Sequence, residues 1–168
     1  VQLALKLLIL TGSRSGPVRY MTTSQIDQDI WIIPAENMKG RVGKTADFRI
    51  PLSDASLDII DFAKRFSRDG FLFPGLRKGV ISDASMARVM QRRGMQERPH
   101  GFRASLETYL AETTDADYEL KKSILGHAIG DQAYRSYQRS DYLEKRRELL
   151  NNWADFLTQS SKIIKLRV

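Results

Sequence analysis

The chain has 168 residues, of which 42% are hydrophobic, so it can bury one sizeable core but is too short for two comfortable domains. Because it has no cysteine, it offers no disulfide framework, no cysteine-based zinc site and no thiol nucleophile. No apolar run approaches the ~20 residues of a membrane span and no secretory signal opens the chain, which fits a protein of the cytoplasm. The formal charge of +7 favours a polyanionic partner, nucleic acid first, over a merely basic surface.

The first ten residues predict a buried helix. They are mostly apolar, with neither a start methionine nor a capping residue ahead of them, so we expect a fragment that lacks N-terminal DNA-binding domains. The two glycines, two serines and one proline that follow predict a corner between two helices, with Pro17 in the first turn of the second. Arg14 then lies at this corner, where backbone donors could share an anion with it. The alternative is an arginine that binds the last carbonyls of the first helix.

The segment from Ile26 to Leu52 predicts a small antiparallel sheet. Two β-like runs flank a basic turn that contains glycine. Lys39 falls near the start of that turn and would point its ammonium group away from the sheet. The alternative is an ordinary solvated turn lysine.

Most of the remaining chain predicts helices. Ser53 begins one with an apolar face, residues 71–75 form a short buried strand or loop, and further helices are expected to about Arg93, at 101–112, at 118–125 and at 143–157. The apolar face of the first of these is formed by Leu57, Ile59, Ile60, Phe62, Ala63 and Phe66. Residues 160–168 alternate apolar and basic residues like an edge strand.

A histidine and an arginine three residues apart, His100 and Arg103, lie in the middle of this basic chain. On a helix they share one face, where a guanidinium fork and an imidazole could grip one anion. The tetrapeptide is weak by itself, because this spacing also occurs by chance. A second histidine, His127, follows the glycine that closes a later helix.

Five short motifs in a fixed order give the chain its resemblance to a known family. They are Arg14 in Gly-Ser-Arg-Ser-Gly, Lys39 on a β turn, the pair His100 and Arg103, His127 in Leu-Gly-His, and a tyrosine about ten residues later. From about Leu5 to Leu157 the chain resembles the catalytic domain of the tyrosine recombinases, and it looks most like phage and genomic-island integrases. The resemblance implies one catalytic domain over 1–168, of the α+β class, mostly α-helical with a small antiparallel β-sheet.

The resemblance also implies roles for individual residues. Arg14 and Arg103 would clamp the scissile phosphate, and Lys39 would be the general acid. His100 and His127 would be the supporting imidazoles, and Tyr137 would be the nucleophile. Three tyrosines, Tyr134, Tyr137 and Tyr142, compete for that last role, and helical spacing does not separate the first two. The family pattern of a polar-Arg run leading into an aspartate fits Tyr137. The sequence departs from the family at Pro17, where an acidic residue that supports the first arginine is usual.

The implied reaction is site-specific DNA recombination through a 3′-phosphotyrosyl intermediate. Two arginines neutralise the charge that grows on the phosphate, so no metal is expected, and no cofactor is expected either. The phosphotyrosyl link conserves bond energy, so religation is expected to need no ATP. The expected partners are double-stranded DNA at attachment sites, other protomers in a tetramer on DNA, and accessory DNA-bending proteins. We expect residues 160–168 to dock on a neighbouring protomer or to fold back on their own domain.

Three other interpretations remain. The chain could be a DNA-binding module of this fold without catalysis, which Pro17 favours and the full set of ionisable residues disfavours. It could be a relaxing enzyme resembling type IB topoisomerases, with the same chemistry. It could also be a helical structural protein, in which case the order of the motifs is a coincidence.

Overall fold

A buried helix lies at the centre of the computed structural model, which describes residues 1–38, 46–127 and 140–159. Helix α1 (Gln2–Thr11) contributes Ala4, Leu7 and Leu8 to the core and packs against helices on several sides. It ends at Gly12, whose φ of 61° is left-handed and favours glycine. Helix α2 (Ser15–Arg19) follows at once, so the predicted corner and the position of Pro17 in the first turn are confirmed.

A three-stranded antiparallel sheet follows α2. Its strands are β1 (Ile26–Asp27), β2 (Ile30–Ile33) and β3 (Phe48–Pro51), in that order, and Trp31 pairs with Ile50. Trp31 and Ile33 point into the core while Ile30 and Ile32 are half-buried, as the two-residue period of a strand requires. The predicted sheet is confirmed, but Lys39 lies outside the described residues.

Five further helices complete the described part of the chain. They are α3 (Asp54–Lys64), α4 (Ser85–Gln91), α5 (Gly101–Thr113), α6 (Tyr118–Ile124) and α7 (Leu143–Gln159). Side chains cap two of them, since Ser53 accepts a hydrogen bond from the Ser56 N–H and Asp117 from the Leu120 N–H. The predicted helices are confirmed, and so is the α+β, mostly helical class. Residues 160–168 lie outside the described ranges.

The predicted apolar face of α3 is wrong at its two phenylalanines. Ile60 and Ala63 are buried, but Phe62 and Phe66 are 48% and 61% exposed, and their ring centroids lie 5.5 Å apart. Phe62 is two residues after Ile60 and therefore about 200° round the helix. The six apolar residues thus cover more of the helix than the core can bury.

Helix α7 joins the sheet to α1. It packs across β3 and against α1 with Leu149, Leu150 and Trp153 buried, and the Trp153 Nε1–H donates to the Ile9 carbonyl at 2.9 Å. The sheet and the corner at Gly12 are therefore held against one continuous core.

Among the described helices, none combines the length and the apolar character needed to cross a bilayer.

Candidate active site

The corner between α1 and α2 presents Arg14. This residue has an extended backbone, with φ −79° and ψ 159°, and immediately precedes α2. Its half-buried side chain borders two adjoining clefts, one shared with Arg103 and one with His100. Within 1–38, 46–127 and 140–159 no acceptor receives a hydrogen bond from its guanidinium group. The interpretation of Arg14 as a cap for the carbonyls of α1 therefore has no support in these residues.

Arg103 is a buried cation on the first turn of α5, with 5% of its surface exposed. Its guanidinium donates to the Gly12 carbonyl and, at 2.7 Å, to the Leu125 carbonyl. Burial and, second, the nearby charge of Arg14 lower the pKa of Arg103 to about 10. The group therefore stays charged at neutral pH, and it faces another cation. An anion bound between the two guanidinium groups would offset both the burial of Arg103 and its repulsion by Arg14.

His127 completes this cluster. Helix α6 ends in a turn where Gly126 has a φ of 60° and the His127 N–H donates to the Lys122 carbonyl at 3.1 Å. Nε2 of His127 lies 3.3 Å from Nη2 of Arg103, and since a guanidinium can only donate, Nε2 is the acceptor. Burial first, then the charges of Arg103 and Arg14, lower the pKa of His127, so the imidazole is neutral at pH 7.

His100 lies apart from Arg103 although the two are three residues apart. It immediately precedes α5, its side chain is exposed, and it borders the second cleft together with Arg14 and Arg98. Arg103 points inward instead, to the carbonyls of Gly12 and Leu125. Arg14 therefore links the two, because it borders both clefts. Arg92 and Arg93, which follow α4, do not border this cleft.

Two predicted site residues, Lys39 and Tyr137, lie outside the described residues, as does the competing Tyr134. Met38, next to Lys39 in the chain, borders the cleft that contains Arg14 and Arg103. The third tyrosine, Tyr142, is described, and its hydroxyl donates to Oε2 of Glu119 at 3.4 Å. The phenol of Tyr142 is thus engaged by a carboxylate on α6.

One acidic residue near the cluster was missed by the sequence reasoning. Glu107 lies one turn after Arg103 on α5, and its carboxylate accepts a hydrogen bond from Nζ of Lys122. Its charge opposes the lowering of the pKa of both Arg103 and His127. The four-residue spacing from Arg103 was the available signal. In the described ranges no three or more His, Asp or Glu side chains are grouped to hold a metal ion.

The model of the phage integrase family matches residues 1–144. The chain belongs to the phage integrase family. Among curated relatives of this family, the prophage integrase IntA of Escherichia coli (strain K12) is 32% identical over 156 residues, which are 89% of this chain and 37% of that protein. The chain thus spans a little over a third of the length of this relative.

Solved integrase structures share the fold. The integrase from mycobacterium phage Brujita matches with a TM-score of 0.64 at 19% identity, over 90% of this chain and 50% of that one. A lambda integrase tetramer bound to a Holliday junction matches with a TM-score of 0.54 at 20% identity, over 83% of this chain and 42% of that one. At these identities the likeness shows the fold of this phage integrase family member.

Proposed function

We propose that the chain is the catalytic domain of a site-specific DNA recombinase that acts through a tyrosine nucleophile. The observation that carries this proposal is the convergence of Arg14, Arg103 and His127 from three separate segments. Two guanidinium groups border one cleft, and a neutral imidazole lies beside one of them, which suits a phosphodiester. Membership of the phage integrase family supports the same reaction.

The described residues provide the charge stabilisation. Arg103 is fixed by two backbone carbonyls, so its remaining donors need no reorganisation when charge grows on the phosphate. Arg14, which borders the same cleft, supplies a second guanidinium fork. Neutral His127 can hold or pass a proton near the non-bridging or leaving oxygen. His100, in the adjoining cleft with Arg14 and Arg98, would contact the same or the neighbouring phosphate.

Lys39 and Tyr137 carry the remaining steps of the proposal. The Tyr137 oxygen attacks phosphorus while the bond to the 5′-oxygen breaks, and Lys39 gives that oxygen its proton. The acid matters because an alkoxide is a poorer leaving group than a phenolate, and such assistance contributes about 10²–10⁴ in rate. The 3′-phosphotyrosyl bond retains the energy of the phosphodiester, so another strand's 5′-hydroxyl can reverse the step without ATP.

The proposed partner is double-stranded DNA at attachment sites, bound by a tetramer of this protein. The net charge of +7 suits a polyanion, and the lambda integrase neighbour was solved as a tetramer on a Holliday junction. Residues 160–168 would dock on a neighbouring protomer or return to their own domain, and accessory DNA-bending proteins would help to assemble the complex. Such a protein would work beside the DNA in the bacterial cytoplasm.

Two other functions of this fold remain as outcomes of a test. A DNA-binding module without catalysis is favoured only by Pro17, which stands where an acidic residue is usual. Glu107 weakens that argument, because it offers a negative charge near Arg103. A relaxing enzyme like type IB topoisomerases would form the same covalent intermediate but would not exchange strands.

A covalent trap tests the nucleophile. Nicked duplexes are tiled across the DNA that flanks the gene, so that cleavage beside the nick releases a short strand and leaves the protein attached. Tyr137→Phe should abolish the protein–DNA band, while the matched variant Tyr134→Phe should keep it. If Tyr134→Phe loses the band and Tyr137→Phe keeps it, the nucleophile is Tyr134. If the parent protein gives no band, the non-catalytic module is supported. Relaxation of supercoiled DNA without strand exchange would support the topoisomerase-like alternative.

A further inference from the structure

A second buried arginine, Arg146 on α7, lies outside the candidate active site. Its side chain is 2% exposed, and its neighbours on the buried face of the helix are apolar: Leu149, Leu150 and Trp153. Burial of a guanidinium group is costly unless it is well paired, and an apolar residue would pack α7 equally well. The pairs that Arg146 makes should therefore explain what it does.

The guanidinium of Arg146 joins α7 to two other elements. It donates to the Arg49 carbonyl on β3 and, at 3.4 Å, to the Ser123 carbonyl on α6, and it lies 4.9 Å from the ring centroid of Phe48. Its Nε meets no acceptor within the described ranges. Both elements lead to the cluster, because Phe48 borders the cleft of Arg14 and Arg103 and α6 ends just before His127.

Asp141 is the second anchor of the same junction. Its Oδ2 accepts a hydrogen bond from Nε of Arg49 at 2.9 Å. The same oxygen forms ion pairs with Nη2 of Arg49 at 2.8 Å and with Nη2 of Arg146 at 3.8 Å. Its Oδ1 accepts from the Leu143 N–H at 3.3 Å, at the start of α7. One carboxylate thus links the beginning of α7 to β3 through two arginines.

The residue between these anchors has an unusual backbone. Tyr142 has a φ of 56°, a left-handed conformation that persists in a bulky residue only when its surroundings hold it. Its N–H donates to Oγ of Ser140 at 3.1 Å and its hydroxyl to Glu119. The path of the chain from Ser140 into α7 is therefore fixed from both sides.

We propose that Arg146 and Asp141 are positioning residues that set where the nucleophilic tyrosine can reach relative to the arginine cluster. The inference rests on the proposed function, in which Tyr137 is the nucleophile. Tyr137 lies four residues before Asp141, so its Cα cannot be more than about 14 Å from that anchor. Asp141 is bound to Arg49 of β3, and Arg146 is bound to α6. A shift of this junction would therefore change where the tyrosine can reach relative to Arg14, Arg103 and His127.

The test compares Arg146→Met with Arg147→Met in the protein at its full natural length. Arg147 is a matched control, since it is on the same helix and is also ion-paired, with Asp29 and with Glu144, but neither partner borders the clefts of Arg14. Both variants remove one positive charge, so the change in net charge is the same. Asp141→Asn serves as a second variant of similar size if Arg146→Met does not fold.

Single-turnover cleavage of the nicked duplex is measured at saturating DNA, with separate titrations of DNA binding. We expect the rate of Arg146→Met to fall about 10- to 100-fold below that of Arg147→Met, while the amplitude and the dissociation constant stay within about twofold. Partial unfolding would instead lower the amplitude at an unchanged rate. A substrate in which sulfur replaces the leaving 5′-oxygen needs no general acid, because a thiolate leaves without a proton. This substrate should restore the cleavage rate of Lys39→Ala but not that of Arg146→Met.

Several results would overturn the positioning role. They are equal rates for the two arginine variants, a loss confined to amplitude, or rescue of Arg146→Met by the sulfur substrate, which would place its effect on the acid. If Arg146→Met does not fold, the same criteria apply to Asp141→Asn. The absence of adduct in both the parent protein and Arg147→Met would instead reject the proposed function, and the positioning role with it.

Discussion

Replacing Gly12 with alanine should destabilise the fold at the corner that carries Arg14. Gly12 has a φ of 61°, and an added Cβ would lie 2.5 Å from Cδ2 of Leu106 and 3.6 Å from Cδ2 of Leu125. Leu106 has no exposed surface, so its methyl group has no solvent to move into. Two separable costs therefore act at this position, one from the backbone and one from packing.

The magnitude follows from these two costs. A non-glycine residue in the left-handed region costs about 1–2 kcal/mol. Carbon atoms prefer a separation of about 3.5–4.0 Å, so the side chain of Leu106 must yield by about 1 Å, and overpacking of this kind costs about 1–3 kcal/mol. The free energy of unfolding should fall by about 2–5 kcal/mol, a large share of the ~5–15 kcal/mol typical of a domain.

Gly70→Ala is the matched control. Gly70 has a φ of 80° with nothing within 4 Å of an added Cβ, so this substitution incurs the backbone cost alone, about 1–2 kcal/mol. Urea unfolding followed by circular dichroism measures both variants. In a Leu106→Ala background the penalty of Gly12→Ala should fall to that of Gly70→Ala. If the two glycine variants differ by less than about 0.5 kcal/mol in the parent background, the steric argument is refuted.

Two further predictions concern the cluster itself. Arg103→Lys should lower the free energy of unfolding by about 1–3 kcal/mol, because one ammonium cannot reach the carbonyls of both Gly12 and Leu125; an unchanged urea midpoint would contradict the bonding described. The folded-state pKa of His127 is lowered from 6.5, so below about pH 6.5 the unfolded chain takes up a proton that the folded chain does not, and stability should fall as pH falls through that window. Urea titrations from pH 7.5 to about 5.5 should show this slope flattened in His127→Gln, and an identical slope would contradict it.

The sequence predicted the helices and the sheet because their signals are local. The serine before α3, the proline in the first turn of α2 and the glycine after α6 act within a few residues of where they stand. Phe62 and Phe66 were misplaced because an apolar residue does not reveal how wide a face the neighbouring helices can cover. That width depends on packing between distant segments.

The sequence predicted the residues of the candidate site and their order along the chain. It did not predict how they are arranged in space. The spacing of His100 and Arg103 suggested one shared face, yet Arg103 turns inward because two carbonyls, of Gly12 and Leu125, become available where α1 and α6 end. No pattern in the sequence shows which carbonyls lie within reach of a buried guanidinium. The contacts of Arg146 could not be predicted for the same reason, since in the sequence it is one of three consecutive basic residues and its partners lie in distant segments.

The bond between Trp153 and Ile9 spans 144 positions of the chain, and it has a consequence for synthesis. Helix α1 leaves the ribosome early but buries its surface partly against α7, which is translated much later. Contacts so distant in sequence form slowly, because a long loop must close before they contribute. A nascent chain therefore carries an unfinished core, and its apolar surface stays open to chaperones until α7 is made. The proposed cleavage activity would then begin only after translation has passed the helix that follows the proposed nucleophile.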